Sequence, residues 1–300
     1  MIGADEFLGR HVSRALSAEV PLIELGADAD DETLADAVRS VEVVHHVARG
    51  WSPSRRLRVR KGPSDLLRRV VDASRKAGVR RIVYVSTADV YGEEAADPLT
   101  EKAPLKPVHA FGRLKLNEES WLLDEALDLE VVVLRPTRVF GEGEDWVLPR
   151  LLREVARGRV WLPAGGNMVQ TFVFAGDVGR ACLAASDRGH SGKAYLVGGF
   201  NSTWRELLQS SARCAGMGAQ IISVPYQLAY LRAVATEMVT PRGAVVWPGT
   251  FAVDVIGKPH RFDDSKSRRE LTWSPMVGSF EQEMPHMTAW LGGLVGAAVI

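Results

Sequence analysis

The stretch Arg81-Ile82-Val83-Tyr84-Val85-Ser86 is rich in β-branched and aromatic residues, a composition typical of a buried strand. A helix is predicted on each side of it, over Leu66–Ala77 with Gly78 as a stop signal, and over Leu114–Leu127. Another buried strand is predicted over Leu129–Leu134. Short apolar strands that alternate with helices predict a parallel sheet covered on both faces, and therefore a doubly wound α/β fold.

The same alternation extends toward the N-terminus. Helical spacing of apolar residues predicts a helix over Phe7–Ala18, and a capped helix with acidic residues in its first turn is predicted over Asp31–Arg39. A short strand is predicted over Pro21–Leu25, and an apolar run of strand length occupies Val41–Val47. These segments complete the first half of the alternating pattern.

After Gly141 the pattern becomes irregular and prolines interrupt it repeatedly. Strands are predicted over Gln170–Phe174 and Ala194–Val197. We therefore expect a dinucleotide-type domain over residues 1–160, to which the strand at 194–197 is added, and a smaller α+β lobe over residues 161–300. In doubly wound proteins such a lobe carries the substrate site.

Composition excludes several classes of protein. Of 300 residues, 46% are hydrophobic and 25% charged, and 37 basic residues balance 37 acidic ones, so we expect a folded protein that does not bind nucleic acid. Cys182 and Cys214 cannot form a disulfide framework, and no Cys/His cluster has metal-ligand spacing. No signal peptide is recognised, and the weakly polar stretch near Leu291–Ile300 is too short to span a bilayer. A cytoplasmic location without membrane or metal is expected.

Charge is distributed unevenly along the chain. Residues 1–48 contain ten acidic and three basic residues, whereas residues 49–81 contain twelve basic and two acidic ones. The basic run Arg55–Lys61 is consistent with an anion-binding segment. It is equally consistent with a solvated helix face or with a contact to the acidic segment of the same chain.

Several segments, in this order, resemble those of the extended short-chain dehydrogenase/reductase superfamily, in its NAD-dependent epimerase/dehydratase and 3β-hydroxysteroid-dehydrogenase-like branch. They are the glycine-rich turn Gly3–Gly9, the strand Val43–Ala48, the Ser/Thr-bearing strand end Val85–Gly92, the nicotinamide-flanking segment Leu134–Gly141, and Phe172–Val178 of the substrate lobe. The resemblance implies a Rossmann-like sheet, NADP or NAD as cofactor, and a small-molecule substrate. The cofactor-binding positions that it implies are Gly3, Asp5, Phe7, Leu8, Gly9, Ala48, Lys115, Pro136 and Val139.

The glycine-rich turn departs from the family pattern. Glu6 stands where the family has its middle glycine, and a carboxylate there adds bulk and negative charge where a pyrophosphate rests on a helix N-terminus. We expect weaker cofactor binding unless the turn moves. Only Met1 and Ile2 precede Gly3, which leaves a shortened first strand, for which a start codon further upstream is one explanation.

The sheet is also expected to be shorter by one strand–helix pair, because the chain from Gly9 to Val43 has room for only one strand and two helices. The segment Leu22–Leu25 resembles the third strand of the family better than its second. The acidic residue that holds the adenosine ribose then has no evident counterpart. Asp28 or Asp30 would replace it only if the strand assignment shifts.

The catalytic pair of the family is altered as well. The family has a Tyr that exchanges a proton and a Lys one helical turn later, and here Lys115 matches while Phe111 occupies the Tyr position. Phenylalanine cannot donate a proton. Thr87 matches the catalytic Ser/Thr and is expected to polarise a carbonyl. Lys115 is expected to hold a ribose or to act as an acid, with a solvated helix lysine as the alternative.

His109, two residues before Phe111, is the best substitute for the missing acid, because histidine is the residue type that exchanges protons most readily near neutral pH. A histidine on a surface loop is the alternative interpretation. Tyr91 is expected to pack beneath the site. Arg49 and Arg138 border the predicted cleft and would either bind an anion or pair with nearby acids.

The sequence thus favours an atypical NAD(P)-dependent ketoreductase or dehydrogenase that acts on a bulky small molecule without the usual Tyr. The alternatives are a catalytically inactive Rossmann-like sensor or partner protein, and a cofactor-independent lyase or isomerase that uses the same cleft. The high Ala, Arg and Val content suggests, by association, a GC-rich bacterium and secondary metabolism. A homodimer is expected through the helices at Leu66–Ala77 and Leu114–Leu127, with Leu122 in the interface.

Overall fold

The computed structural model describes residues 1–49, 62–92, 97–241, 244 and 246–299. The helices in these ranges are α1 Phe7–Ser17, α2 Asp31–Val38, α3 Asp65–Ala77, α4 Ala110–Glu125, α5 Leu148–Ala156, α6 Ala175–Arg188, α7 Trp204–Cys214, α8 Tyr226–Val239, α9 Thr250–Gly257, α10 Ser265–Glu270 and α11 Phe280–Val299. The strands are β1 Val43–His46, β2 Arg81–Val85, β3 Glu130–Pro136, β4 Arg138–Phe140, β5 Val160–Pro163, β6 Val169–Phe174, β7 Lys193–Val197, β8 Phe200–Thr203 and β9 Ile221–Val224. The basic run Arg55–Lys61 lies outside the described residues.

The central sheet is parallel, with the strand order β1-β2-β3-β7. The predicted strand Arg81-Ile82-Val83-Tyr84-Val85-Ser86 is β2, and all five residues of β2 are buried. Helices cover both faces of this sheet, since separate apolar cores form on each side of β2 and β3, one with α1 and α6 and the other with α2, α3 and α4. The predicted doubly wound α/β fold is therefore confirmed.

Two single-residue bridges extend the sheet beyond β1. Ile2 pairs in parallel with His46 on one side and with Leu25 on the other. In a doubly wound sheet the first strand lies between the second and the fourth, so the segment at Leu25 occupies the place of the second strand. The expectation that this segment corresponds to the third strand was wrong, because the composition of four residues does not encode which strand they will pair with.

The helix boundaries follow from local sequence signals. Helix α3 begins after Ser64, whose hydroxyl accepts a hydrogen bond from the Leu67 amide, and ends at Gly78, which adopts a φ of +73°. Helix α4 begins at Ala110, ahead of the predicted start at Leu114. The earlier start places Phe111 and Lys115 on one helix.

After β3 the chain forms the small sheet β4-β6-β8, whose strand β4 still lies within residues 1–160, and the parallel pair β5 and β9. The core of this region is built on edge-to-face aromatic contacts, in which the rings of Phe140 and Phe172 each lie 5.0 Å from that of Phe280. This arrangement is the predicted α+β lobe, and β7 joins the central sheet from within it. The domain boundary at residue 160 stays a prediction.

Leu122 cannot lie in a dimer interface, because its side chain is 0% exposed and packs in the core between the sheet and its helices. That expectation was wrong, since apolar spacing alone does not separate a core face from a surface face. The homodimer itself stays a prediction. Among the described residues, no helix is long and apolar enough to cross a membrane.

Candidate active site

The glycine-rich turn is closely packed against its neighbours. Gly3 has a φ of +91°, and a Cβ there would lie 2.6 Å from the backbone nitrogen of Ala48. A Cβ on Gly9 would lie 1.7 Å from the carbonyl oxygen of Gly3. The Asp5 carboxylate accepts a hydrogen bond of 3.0 Å from the amide of Ala27 and thereby ties the turn to the segment after the second strand. Both glycines are therefore required by this geometry.

Glu6 ends the turn at the start of α1. Its side chain does not cap the helix; it accepts a hydrogen bond of 2.7 Å from the amide of Arg49. The Arg49 guanidinium in turn binds both oxygens of Asp145, at 2.9 and 2.7 Å. Burial raises the pKa of Glu6, and the amide and guanidinium of Arg49 oppose this rise. Of the two predicted roles for Arg49, the structure shows pairing with acids.

A cavity of about 180 Å³ opens beside this turn, at the carboxyl ends of the central strands. We call it the Lys115 cavity. It brings together Thr87, Phe111 and Lys115, which the sequence predicted as a group. The cofactor-binding positions that line it are Phe7, Leu8, Lys115, Pro136 and Val139, while Gly3, Gly9 and Ala48 form the turn behind it.

Lys115 lies inside the protein, only 2% exposed. Its Nζ donates hydrogen bonds to the carbonyl oxygens of Ala48 at 3.0 Å and Val85 at 3.3 Å, and lies 3.8 Å from the Glu118 carboxylate. Burial lowers the pKa of Lys115, and Glu118 opposes that shift. The alternative of a solvated helix lysine was wrong, because helix α4 presents this position to the sheet.

Thr87 follows β2 and caps the next turn. Its hydroxyl accepts a hydrogen bond of 3.2 Å from the Asp89 amide and donates one of 3.3 Å to the Asp89 carboxylate. Arg138 binds that carboxylate at 2.6 Å. Burial alone would raise the pKa of Asp89, but Arg138 and His260 outweigh it, so the pKa is lowered. Arg138 also pairs with an acid, as one of its two predicted roles required.

His109 faces a second cavity, of about 290 Å³, which we call the His109 cavity. The structure does not place His109 in the Lys115 cavity, although the two cavities share walls formed by Asp89, Arg138, Phe251 and Val255. The imidazole Nε2 lies 2.8 Å from the Asp254 carboxylate, and the His109 side chain is 20% exposed. It is therefore a partly buried, hydrogen-bonded group and not a solvated loop histidine.

Asp254 is the centre of a polar cluster. The Tyr226 hydroxyl donates a hydrogen bond of 2.6 Å to one carboxylate oxygen, and Lys258 Nζ lies 3.4 Å from the same atom. Burial would raise the pKa of Asp254, but the hydrogen bonds from His109 and Tyr226 outweigh it, and the pKa is lowered. Asp254 is thus held as a carboxylate.

Tyr91 packs beneath the site, as predicted. It is fully buried, and its hydroxyl accepts a hydrogen bond of 2.6 Å from Arg135. Arg135 is fixed by both carboxylate oxygens of Glu119. Tyr91 therefore belongs to the apolar core and lines neither of the two cavities.

The sequence did not identify Asp89, Asp254 or the aromatic pair Trp146 and Phe251. The rings of this pair stack with centroids 4.7 Å apart at 19°, and both line the Lys115 cavity. A charged residue within the apolar run Phe251–Ile256 was the one available signal for Asp254. Asp89 carried no signal, because its partner Arg138 lies far away in the sequence.

The turn keeps part of a dinucleotide-binding arrangement. Gly3 and Gly9 allow the tight turn and the close packing of α1 against it, and the N-terminus of α1 carries no side-chain cap. Glu6 adds a carboxylate to this place but turns it toward Arg49. In the part of the chain that the structure describes, no group of three or more His, Cys, Asp or Glu side chains is placed to hold a metal.

A doubly wound sheet with a glycine-rich turn and a cavity at its strand ends is the arrangement of dinucleotide-binding proteins, and among these the chain is a member of the extended short-chain dehydrogenase/reductase superfamily. More narrowly, the model of the NAD dependent epimerase/dehydratase family matches residues 1–198, and the chain belongs to that family. This is a family of NAD(P)-dependent enzymes.

Curated relatives differ in how much of the chain they match. The chain is 32% identical over 212 residues to the uncharacterized protein y4nG of Sinorhizobium fredii. The matched region covers 69% of this chain and 52% of that protein. It is 26% identical over 264 residues to sterol demethylase protein B of Methylococcus capsulatus, with 82% of this chain and 78% of that protein covered. The chain thus spans about half the length of y4nG.

Solved structures show the same fold over nearly the whole chain. RMD from Pseudomonas aeruginosa, complexed with NADPH, has a TM-score of 0.73 at 20% identity, with 97% of this chain and 98% of that chain covered. UDP-glucuronic acid 4-epimerase from Bacillus cereus, in complex with NAD, has a TM-score of 0.72 at 18% identity, with 98% of each chain covered. At these identities the likeness shows the fold.

Proposed function

We propose that this chain is an atypical NAD(P)-dependent ketoreductase or dehydrogenase that acts on a bulky small-molecule carbonyl or alcohol. The observation that carries the proposal is that Thr87 and Lys115 line one cavity beside the glycine-rich turn, together with Phe111 in place of the usual Tyr. A bound nicotinamide would supply or accept the hydride. Positioning within the cleft then provides much of the rate enhancement even without the Tyr.

Different residues of the chain would bind different parts of the dinucleotide. Gly3, Gly9 and the first turn of α1 would receive the pyrophosphate, and Pro136 and Val139 would border the nicotinamide. The Lys115 ammonium would hold the nicotinamide ribose from within the cavity. After the second strand, Asp5 and Asp28 lie together, with carboxylate oxygens 3.2 and 2.8 Å from where a Cβ of Gly26 would stand.

This acidic pair favours NAD over NADP. A carboxylate at the end of the second strand accepts a hydrogen bond from a ribose 2′-hydroxyl and repels a 2′-phosphate. Asp30 is not available for this role, because its side chain caps α2 by accepting a hydrogen bond from Thr33. Asp28 is therefore the proposed counterpart of the family's ribose-binding acid.

Thr87 would act on the substrate directly. Its hydroxyl donates over 3.3 Å to Asp89, a long hydrogen bond that a substrate carbonyl can replace. Donation to the carbonyl oxygen would stabilise the negative charge that develops there. The apolar and aromatic walls formed by Phe111, Trp146 and Phe251 favour a ring-containing substrate with few polar groups.

Calorimetric titration with NADH and then NADPH tests the cofactor, and a panel of monocyclic and bicyclic ketones tests the reaction. We expect binding, tighter for NADH, and a Thr87→Val variant that binds NADH normally but turns ketones over about 10- to 1000-fold more slowly. Thr288→Val, on α11 and outside the walls of the Lys115 cavity, is the matched control. A chain that binds neither NADH nor NADPH would overturn the proposed function.

The second candidate is a Rossmann-like sensor or partner protein without catalysis, or a lyase or isomerase that needs no dinucleotide. Phe111 and the engagement of Glu6 with Arg49 favour it. A chain that binds neither NADH nor NADPH supports this candidate. We further propose that the protein acts in the cytoplasm, in secondary metabolism, as a homodimer.

A further inference from the structure

The His109 cavity contains an acid–base pair that the residues of the Lys115 cavity do not provide. His109 comes from the residue before α4, and its partner Asp254 comes from α9, so two distant parts of the chain meet there. The Asp254 side chain is 8% exposed. A nearly buried carboxylate that holds a histidine at a cavity wall is the arrangement that fixes an imidazole for proton transfer.

The hydrogen bond determines which ring nitrogen can act. Because Asp254 is held as a carboxylate, Nε2 of His109 carries a hydrogen and donates it over 2.8 Å. The other nitrogen, Nδ1, is then the one that gains or loses a proton. His109 does not use its side chain to cap α4, so Nδ1 is not committed to the helix that follows.

Two partly exposed side chains connect Asp254 to the protein surface. Tyr226 is partly exposed and donates its hydroxyl hydrogen to Asp254 at 2.6 Å, and Lys258 is 27% exposed. The other charged side chains that face the His109 cavity form two ion pairs, Asp89 with Arg138 and Asp97 with Arg261. His260 accepts a hydrogen bond of 3.0 Å from Arg138.

The ring of Phe251 joins the pair to the proposed catalytic cavity. Its centroid lies 4.8 Å from that of His109, and it lines both cavities. Asp89, which contacts Thr87, also lines both. A substrate whose reacting oxygen lies where the two cavities meet would therefore be within reach of groups from each.

We propose that His109 is the proton-exchanging residue of this enzyme, with Asp254 as its positioning residue and with Tyr226 and Lys258 connecting the pair to solvent. The inference rests on the proposed function, since it provides the proton transfer for which Phe111 has no group. It explains how the reaction proceeds although the usual Tyr is missing.

In the reducing direction, a bound reduced nicotinamide would supply the hydride that the substrate's carbonyl carbon gains, and the π pair of the C=O bond would become a lone pair on oxygen. That oxygen takes a proton from Nδ1–H of the His109 imidazolium, which leaves a neutral imidazole that still donates Nε2–H to Asp254. Solvent returns a proton to Nδ1, and in the oxidising direction His109 acts as the base.

The pairing is tested without a substrate, by following the histidine ring signals of the full chain by NMR from about pH 5 to about pH 9. The His109→Gln spectrum assigns the signal. Because Asp254→Asn removes a negative charge whose carboxylate oxygen lies 2.8 Å from Nε2, the midpoint of the change of the His109 signal with pH should differ between this variant and the wild type. His286→Gln on α11, where His286 is 76% exposed, serves as the control. An unmoved midpoint would overturn the pairing.

The role in the reaction is tested by ketone reduction with saturating NADH. We expect His109→Gln to lower kcat about 10²–10⁴-fold while leaving NADH affinity unchanged. In the wild type, the fall of kcat with rising pH should follow the NMR midpoint, and both should shift together in Asp254→Asn. A Phe111→Tyr change should rescue His109→Gln by restoring a donor near Lys115.

Full activity of His109→Gln, or a pH profile of kcat unrelated to the NMR midpoint, would overturn the proposal for His109. The proposed function would still be supported if the wild type binds NADH and reduces ketones. A wild-type chain that binds no dinucleotide would overturn the proposed function, and His109 as a donor to a reduced carbonyl with it. The NMR shift in Asp254→Asn would then still report the pairing on its own.

Discussion

At the scale of single residues, Glu6 has the largest consequence for ligand binding. It is half-buried at the start of α1, where its carboxylate accepts from the Arg49 amide while Asp145 binds the Arg49 side chain. Three loops are therefore tied together at the edge of the Lys115 cavity. A pyrophosphate that enters must compete with this internal carboxylate for the same positive surroundings.

Replacing Glu6 should strengthen dinucleotide binding. Glu6→Gln keeps the shape and the hydrogen bond to Arg49 but removes the charge, and Glu6→Gly removes both. We expect Glu6→Gly to tighten NADH binding by about 1–3 kcal/mol, or roughly 10- to 100-fold, with Glu6→Gln giving part of this gain. Calorimetry measures it, and Glu19→Gln, exposed beyond the other end of α1, is the control. Unchanged affinity would place the pyrophosphate elsewhere.

At the scale of elements, α4 organises the site. One of its faces presents Phe111 and Lys115 to the cavity, and the turns that follow bury Glu118 and Glu119 against the sheet. Glu118 accepts from the Tyr84 hydroxyl at 2.5 Å, and Glu119 binds Arg135. The helix is thus held by charged groups inside the protein, each with a partner.

Breaking the pair between Glu119 and Arg135 should destabilise the whole chain. Both side chains are at most 5% exposed, and their closest atoms are 2.6 Å apart. Glu119→Gln would leave a buried guanidinium without its countercharge, so we expect the free energy of unfolding to fall by about 3–5 kcal/mol. Urea denaturation measures this change. Glu125→Gln, exposed at the end of the same helix, should have little effect, and equal stabilities would argue against the pair.

Elements with strong local signals could be predicted, whereas pairings between distant elements could not. The strand β2 and the end of α3 at Gly78 follow from β-branched content and from a left-handed glycine. The place of Leu25 beside Ile2 depends on pairing and not on composition. The partnership of His109 with Asp254 joins residues 145 positions apart, and no local pattern records it.

At the scale of the whole molecule, two buried histidines link stability to pH. Burial lowers the pKa of His45 to about 3 and that of His46 to about 4, both from the usual 6.5. The unfolded chain therefore binds protons at these imidazoles below about pH 6.5, while the folded chain does not bind them until a much lower pH. The two histidines therefore contribute fully to stability above about pH 6.5. This contribution is lost as the pH falls from about 6.5 toward their pKa values in the folded chain.

Thermal unfolding should report this loss. We expect Tm to decrease steadily between about pH 6.5 and about pH 4. In His46→Phe, which keeps an aromatic ring beside Tyr84, the dependence of unfolding free energy on pH should be shallower by about one proton. His286→Gln should keep the wild-type slope. Identical slopes in all three proteins would contradict the assignment.

The proposed homodimer needs a test at an exposed position. Leu127 follows α4, within the predicted interface segment, and is 82% exposed in the single chain. If α3 and α4 form the interface, Leu127→Asp should convert the dimer to a monomer, because a carboxylate would be buried against apolar surface. Light scattering after size exclusion gives the mass. Leu228→Asp on α8, where Leu228 is 60% exposed, should leave the mass unchanged; dissociation there instead would move the interface.

The helix α9 contributes Phe251 and Val255 to the walls of both cavities. It also contributes Asp254 to the wall of the His109 cavity. A ligand that shifts this helix in one cavity changes the free energy of whatever occupies the other. Thermodynamic linkage makes such an effect reciprocal: the factor by which a first ligand alters the affinity of a second is the factor by which the second alters that of the first. Which ligand occupies the protein first would then depend on the affinity and concentration of each ligand, because the coupling favours neither order.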